Sequence, residues 1–564
     1  MLASTDRPDA DIREQSTRIR PFRPRLFDNA RSEAVAPSEQ PPQESAMTND
    51  TNLSNAADLP NAAAMSNAAA LSHATAPSSA PLPRSTPEAQ GVPSAAIIRF
   101  LDDIEANVPG LNSVMMLRHG TVIAEGWWSP YGAQIPHMMF SLSKSVTSIA
   151  VGLAVADGLL SVDDFVVSLL PDDAPPEIGD NLAAMRVRHL LTMTTGHSED
   201  SMSALEATGD DNWARAILSV PVESTPGTRF VYNTGASYLL SAILQRLTGQ
   251  RLLDYLTPRI FAPLGIVGAA WEQCPRGIDT GGFGLAVVTE DIAKIGQLLL
   301  KRGEWNGERL ISAEWIEEAT SAQVSNGDAQ PGDDWGQGYG YQFWRCQHGA
   351  YRGDGAFGQF CVVMPEQDAV LVMTAGVPDL QPVLDRVWEH LLPALSDATL
   401  SEKGDASPDD SASGDLSARL DTLVMPHPDG ESSSPIAAGV SGTRFRFTEN
   451  SAKVAAVSLS FEADRVVLTI WNNHGENRID CGDGRWLEGR TTLLDGSNQA
   501  VAAAGAWRTE DSYVVRLCYY ETPFVHTVVA TFADDTVTLD VAQNVSFGST
   551  QLVHSVGHAM TEVD

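Results

Sequence analysis

The chain has 564 residues, 43% hydrophobic and 19% charged, which is enough apolar material for more than one core and too much for a wholly disordered protein. Against 37 Lys and Arg stand 72 Asp and Glu, a formal charge of -35, whose field repels phosphate backbones and acidic membrane surfaces and argues against nucleic acid as a partner. Five cysteines, Cys274, Cys346, Cys361, Cys481 and Cys518, form no CxxC pair and cannot close into a full disulfide set, which suits a reducing compartment.

Residues 1–81 are biased toward Ala, Ser, Asn and Pro, with an echo in NAAAMSNAAALSHA. Too little can be buried there to offset chain entropy, so a disordered tail is expected, with Met47 or Met65 as alternative starts. The Arg-rich beginning lacks the apolar stretch of a secretory signal, and its acidic residues argue against a transit peptide. No later segment approaches the ~18 uninterrupted apolar residues that a membrane-spanning helix needs. The expectation is a soluble, cytoplasmic protein with no membrane partner.

Residues 82–395 have the texture of a globular α+β domain, an antiparallel sheet with flanking helices. SAAIIRFLDDIEA predicts a helix, and SVMMLRHGTVIAEGWW predicts a hairpin of Val114–Leu117 and Val122–Glu125 turning at His119 and Gly120. MRVRHLLTMTTG, TEDIAKIGQLLLKRG and SAEWIEEAT read as helices and turns. A β pair follows, Phe360–Met364 and Ala369–Thr374, and the helix LQPVLDRVWEHLLPAL closes the region. Residues 396–435 are Ser, Asp, Gly and Pro rich, a linker with room for one short helix around Leu416–Leu423. In 436–564, the runs VVLTIW, SYVVRLCYY, HTVVATF and TVTLDV alternate with turn residues, as in a small all-β sandwich or barrel.

Chemistry is concentrated in FSLSKSVTSIA. From Val146 onward the segment is apolar on nearly every side, the mark of a helix buried inside a domain. Residues three apart share a helix face, so Ser141 and Lys144 place a hydroxyl and an amine side by side at its opening turn. A serine needs a base to become a nucleophile, and a desolvated lysine can serve because lost water disfavours its charged form. Arginine cannot. The chain has only five lysines, and Lys144 is the sole one before Lys294. The competing description is a capping Ser141 and a Lys144 that reaches solvent.

This SxxK stretch, followed by GLLSVDDFVVSLLPD, resembles the penicillin-recognising serine hydrolases, in particular the class C β-lactamase-related branch with its esterases and 6-aminohexanoate-dimer hydrolases. MRVRHLLTMTTGH, PGTRFVYNTGASYLLSAIL, FAPLGI, GGFGLAVVTEDIAKIGQLLL and GDGAFGQFCVVMPEQDAVLVMT continue the resemblance in order. It implies a β-lactamase/transpeptidase-like fold with a helical subdomain, and an acyl-enzyme on Ser141 with no cofactor and no metal. Tyr232, on a loop before a helix starting near Ala236, matches the tyrosine of the YxN motif; a cationic Lys144 beside it would favour the phenolate and make it a general base. Thr234 stands where that motif has Asn, with Asn233 beside it. In Gly353-Asp354-Gly355-Ala356, Gly353 replaces the Lys or His of KTG or HxG; these residues are expected at the substrate, and the N–H of Ala356 would join that of Ser141 in an oxyanion hole.

Losing the basic side chain shifts the expected substrate from a carboxylate-bearing β-lactam toward a neutral amide or ester. The alternatives are a D,D-carboxypeptidase or β-lactamase and, in another class, a non-catalytic ligand-binding protein. His197 reads as a loop histidine or a cleft residue, and Trp127 and Trp128 as packing at a strand end or a substrate wall. Oligomeric state stays open.

Overall fold

The structure, a computed structural model, describes residues 81–560 apart from 210, 328–329, 331, 396–409 and 451–452. The expected tail, the alternative starts and the first part of the expected linker lie outside the described residues.

A six-stranded antiparallel sheet organises the first part. Helix α1 (Ser94–Asn107) leads into β1 (Leu111–Arg118) and β2 (Thr121–Trp127). His119 and Gly120 both have positive φ, 50° and 75°, the backbone that a two-residue hairpin turn demands. After α2 (Ser143–Ala156), α3 (Thr234–Thr248) and α4 (Thr289–Leu300) come β3 (Trp344–Arg345), β4 (Tyr351–Gly355), β5 (Gln359–Met364) and β6 (Ala369–Ala375), followed by α5 (Gln381–Arg386). The strand order is β2-β1-β6-β5-β4-β3.

Because side chains alternate along a strand, the sheet carries two cores. Met115, Leu117, Val363 and Val370 pack with α2, α3 and α4, whereas Val114, Met116, Val362 and Leu371 pack with Phe100 and Leu101 of α1 and Leu384 of α5. The segment MRVRHLLTMTTG is helical only over Val187–Leu191, because Met193 and Gly196 turn the chain at φ 58° and 92°.

The expected linker is partly structured. Helix α6 (Asp410–Asp421) begins earlier than the sequence indicates; it packs on α1 and β2 through Leu416 and Leu420, joined by Leu423 just beyond its end, with Arg419 paired to Asp102 and Glu105.

Ten strands follow: β7 (Arg444–Phe447), β8 (Ala456–Phe461), β9 (Val466–Asn472), β10 (Gly475–Asp483), β11 (Leu487–Thr491), β12 (Gln499–Trp507), β13 (Ser512–Cys518), β14 (Val525–Ala533), β15 (Thr536–Gln543) and β16 (Gln551–Ala559). They form one sheet in the order β10-β9-β8-β7-β16-β15-β14-β13-β12-β11. Gly482 and Asp483 of β10 pair with Ala504 and Gly505 of β12, so nine strands close and the unit is barrel-like rather than a sandwich. Its core reaches into the first part of the chain, since Phe140 and Phe357 pack within it. Among the described residues no helix is long and apolar enough to cross a membrane, and all five cysteines are buried and free.

Candidate active site

Helix α2 is buried along almost its whole length, and its start is fixed by Ser143, whose hydroxyl donates to Phe140 O at 2.6 Å and accepts from Leu285 N at 3.1 Å. Ser141 is not in this helix's first turn, as the sequence suggests, but in a 3-10 turn, Phe140–Leu142, immediately before it. The three-residue spacing still brings the amine to the hydroxyl. Lys144 Nζ lies 3.2 Å from Ser141 Oγ, 2.7 Å from Gly282 O and 3.4 Å from Thr234 Oγ1. Lys144 is 1% exposed, so the reading in which it reaches solvent does not hold. Burial lowers its ammonium to about 8, against the smaller opposing pull of Asp200 and Asp354. A neutral amine that donates to Gly282 and Thr234 keeps its lone pair for the serine proton.

Tyr232 lies on the loop before α3, its ring stacked on Trp344 at 5.5 Å, and lines the cleft with Ser141. Lys144 Nζ sits 5.0 Å from the ring centroid. The expected phenolate is corrected here: burial, then the charge of Asp354, push the phenol well above its ordinary value, against the smaller opposing pull of Arg352. Tyr232 is therefore a neutral hydrogen-bond donor at physiological pH.

Thr234 opens α3, accepting from Lys144 through its side chain and donating its backbone N–H to Asp200 Oδ1 at 2.9 Å. Its neighbour Asn233 is fully buried, caps the helix through Ala236 N and bonds Ser201 Oγ at 2.8 Å, so it offers no amide to a substrate. His197 is buried against Thr195 and Asn233, the loop reading. Trp127 and Trp128 hydrogen-bond Thr289 and Glu105, and neither lines the cleft.

On β4, Gly353 is not a cleft residue, contrary to expectation. A Cβ there would lie 2.6 Å from Ser145 Oγ, so the glycine is needed for close approach to α2. Gly355 likewise sits where a Cβ would meet Met139 O at 2.2 Å, which draws the strand against the residues before Ser141. Asp354, Gly355 and Ala356 do line the cleft with Ser141, Tyr232 and Thr234. Asp354 is held by the fully buried Arg352, whose Nε donates to Oδ2 at 2.9 Å and whose guanidinium lies 4.3 Å from the Trp335 ring. Phe140 and Phe357, beside the two expected oxyanion donors, both have left-handed backbone, φ 47° and 68°.

The sequence reading missed Asp200, Arg352, Trp344 and Gly282. Asp200 lies three residues beyond His197, where the quoted motif ends, and carries no local signature of capping a helix that begins 34 residues later. Gly282 acts through a backbone carbonyl, which side-chain patterns do not register.

The cleft has a volume of about 1440 Å³, and the barrel forms part of its wall. The beta-lactamase family model matches residues 87–386. A 6-aminohexanoate-dimer hydrolase of Paenarthrobacter ureafaciens is 24% identical over 296 residues, covering 48% of this chain and 73% of that protein. A lovastatin esterase of Penicillium rubens is 28% identical over 158 residues, covering 24% of this chain and only 39% of that enzyme. An octameric penicillin-binding protein homologue from Pyrococcus abyssi superposes with a TM-score of 0.43 at 16% identity, covering 82% of this chain and 99% of that one.

Proposed function

Because the chain belongs to the beta-lactamase family of serine hydrolases, we propose that it cleaves a small amide or ester through an acyl-enzyme on Ser141. The observation that carries this reading is the 3.2 Å contact between Ser141 Oγ and a buried Lys144 amine. Neutral Lys144 takes the hydroxyl proton as Oγ adds to the substrate carbonyl. The backbone N–H groups of Ser141 and Ala356 hold the oxyanion. Tyr232 gives its proton to the departing amine or alcohol and recovers one from the Lys144 ammonium. Water then attacks the ester of Ser141, Lys144 again accepts the proton and passes it to Oγ, which leaves as the hydroxyl as the amine returns to its neutral form.

A carboxylate-bearing β-lactam or peptidoglycan stem would call for a cation at the third motif. Position 353 holds glycine pressed against Ser145, and among the described residues those lining the cleft include no Lys, Arg or His. A neutral or cationic amide or ester suits this surface better.

Intact mass after treatment with a fluorophosphonate tests the reading. The wild type and Ser143→Ala gain one adduct and Ser141→Ala gains none. An unlabelled wild type of native fold would instead favour a non-catalytic binding protein.

A further inference from the structure

Asp200 meets the start of α3 through a single oxygen. Its Oδ1 accepts three backbone N–H groups, from Met202 at 3.0 Å, Thr234 at 2.9 Å and Gly235 at 3.3 Å. Thr234 also accepts from Lys144 Nζ through its hydroxyl at 3.4 Å, so one threonine joins the carboxylate to the amine. Capping needs one oxygen, which an amide or hydroxyl supplies as well, and so the full negative charge is left unexplained by the cap. Among the described residues Asp200 takes part in no salt bridge, whereas Asp354, the other carboxylate whose charge reaches Lys144, is paired with the buried Arg352 at 2.9 Å.

The placement bears on an electrostatic problem. The first turn of a helix presents unpaired N–H groups and the positive end of its dipole, a poor neighbour for an ammonium. Lys144 must become an ammonium each time Ser141 gives up its proton, and at 1% exposure it cannot share that charge with bulk water. The groups facing it are the Ser141 and Thr234 hydroxyls, the Gly282 carbonyl, the Tyr232 ring at 5.0 Å, and the charges of Asp200 and Asp354. Burial pushes the ammonium down, and of the two carboxylates that oppose it Asp200 acts the more strongly.

We infer that Asp200 is a positioning residue for the general base: acting through Thr234, it cancels the positive end of α3 and supplies the counter-charge for the Lys144 ammonium formed when Oγ adds to the substrate. The proton moves from Oγ to Nζ as the Oγ–C bond forms, and Asp200 itself neither gains nor loses one. This rests on the acyl-enzyme reading for the step served, but not for the amine held.

Asp200→Asn tests it in the full chain, because the amide oxygen can accept the same three N–H groups while the charge is gone. The rate of fluorophosphonate labelling is followed from pH ~5 to ~10. Without the carboxylate the ammonium is less favoured, so the midpoint falls below the wild-type value by about one pH unit, and the plateau rate drops about three- to tenfold because a weaker base takes the serine proton less readily. Asp200→Ser, a smaller cap, gives the same fall. A lower plateau with an unmoved midpoint marks a purely structural role and overturns the inference, as does a midpoint that rises. If the wild type is unlabelled or shows no midpoint, the failure lies with the acyl-enzyme reading, and the amine is read directly. The chain has only five lysines, so Lys144 is assigned in ε-13C-lysine NMR spectra by its loss in Lys144→Met. A titration midpoint lower in Asp200→Asn than in the wild type supports the inference, and coincident midpoints overturn it.

Discussion

Lys144 is a cation-forming group sealed behind the residue it serves, and that has a measurable cost. Its ammonium lies at about 8 in the fold against an ordinary 10.5, because burial disfavours the charge. Below pH 8 both folded and unfolded chains hold the proton, and the fold carries the full penalty, on the order of 3 kcal/mol. Between 8 and 10.5 the unfolded chain binds more protons, so stability recovers as pH rises. Lys144→Met is therefore expected to be more stable than the wild type at pH 7, by about 1–2 kcal/mol once the lost hydrogen bonds are counted, with the advantage fading near pH 10. Urea unfolding at the two pH values checks this, and a variant less stable at both would contradict it. The Ser141 and Lys144 pair was legible because helical spacing is local. Arg352 and Asp200 were not, because their roles depend on partners supplied by the tertiary fold, such as the Trp335 ring over Arg352 and the start of α3 at Asp200.

At the scale of elements, the site depends on β4 lying unusually close to α2. Ser145 is fixed by its hydrogen bond to Gln342 O at 2.7 Å, so it cannot swing away from a side chain at 353. Gly353→Ala should cost about 1–3 kcal/mol of stability. Ser145→Gly in the same chain should recover part of that loss, so the double-mutant cycle by thermal denaturation is non-additive. Strict additivity would show that the contact is not tight. This packing also gives a physical reason for the motif departure, since a lysine or histidine at 353 would have to enter through the same contact. The glycines were visible in the sequence and the hairpin at His119 and Gly120 was readable from turn chemistry. Which glycine faces the substrate and which faces a helix depends on strand pairing, as when Gly353 sits opposite Cys361.

At the scale of the molecule, the barrel is part of the active site's support. Phe524 and Phe547 pack on Phe140 at 6.1 Å each, and Phe547 packs on Phe357 at 4.7 Å. Asn544 ties Pro523 O to Gly376 O at 2.9 and 3.2 Å. These contacts hold the two left-handed residues that flank the proposed oxyanion donors. Phe547→Ala is expected to lower kcat about tenfold, with a smaller change in KM, because it loosens a group used mainly in the transition state. An effect confined to KM would assign Phe547 to substrate binding alone. The barrel's existence was legible from its β-branched runs. Its closure and its place at the cleft were not, because a sandwich and a barrel share the same alternation and its phenylalanines look like ordinary core.

The most direct test of the central claim is the rate of fluorophosphonate labelling at Ser141 as a function of pH. The account predicts a rate that rises with pH through a midpoint near 8, as Lys144 loses its proton, and then levels off. In Lys144→Met the rate should be at least about a hundredfold lower and free of that midpoint. Labelling of Lys144→Met at the wild-type rate would contradict the claim that this amine activates this serine.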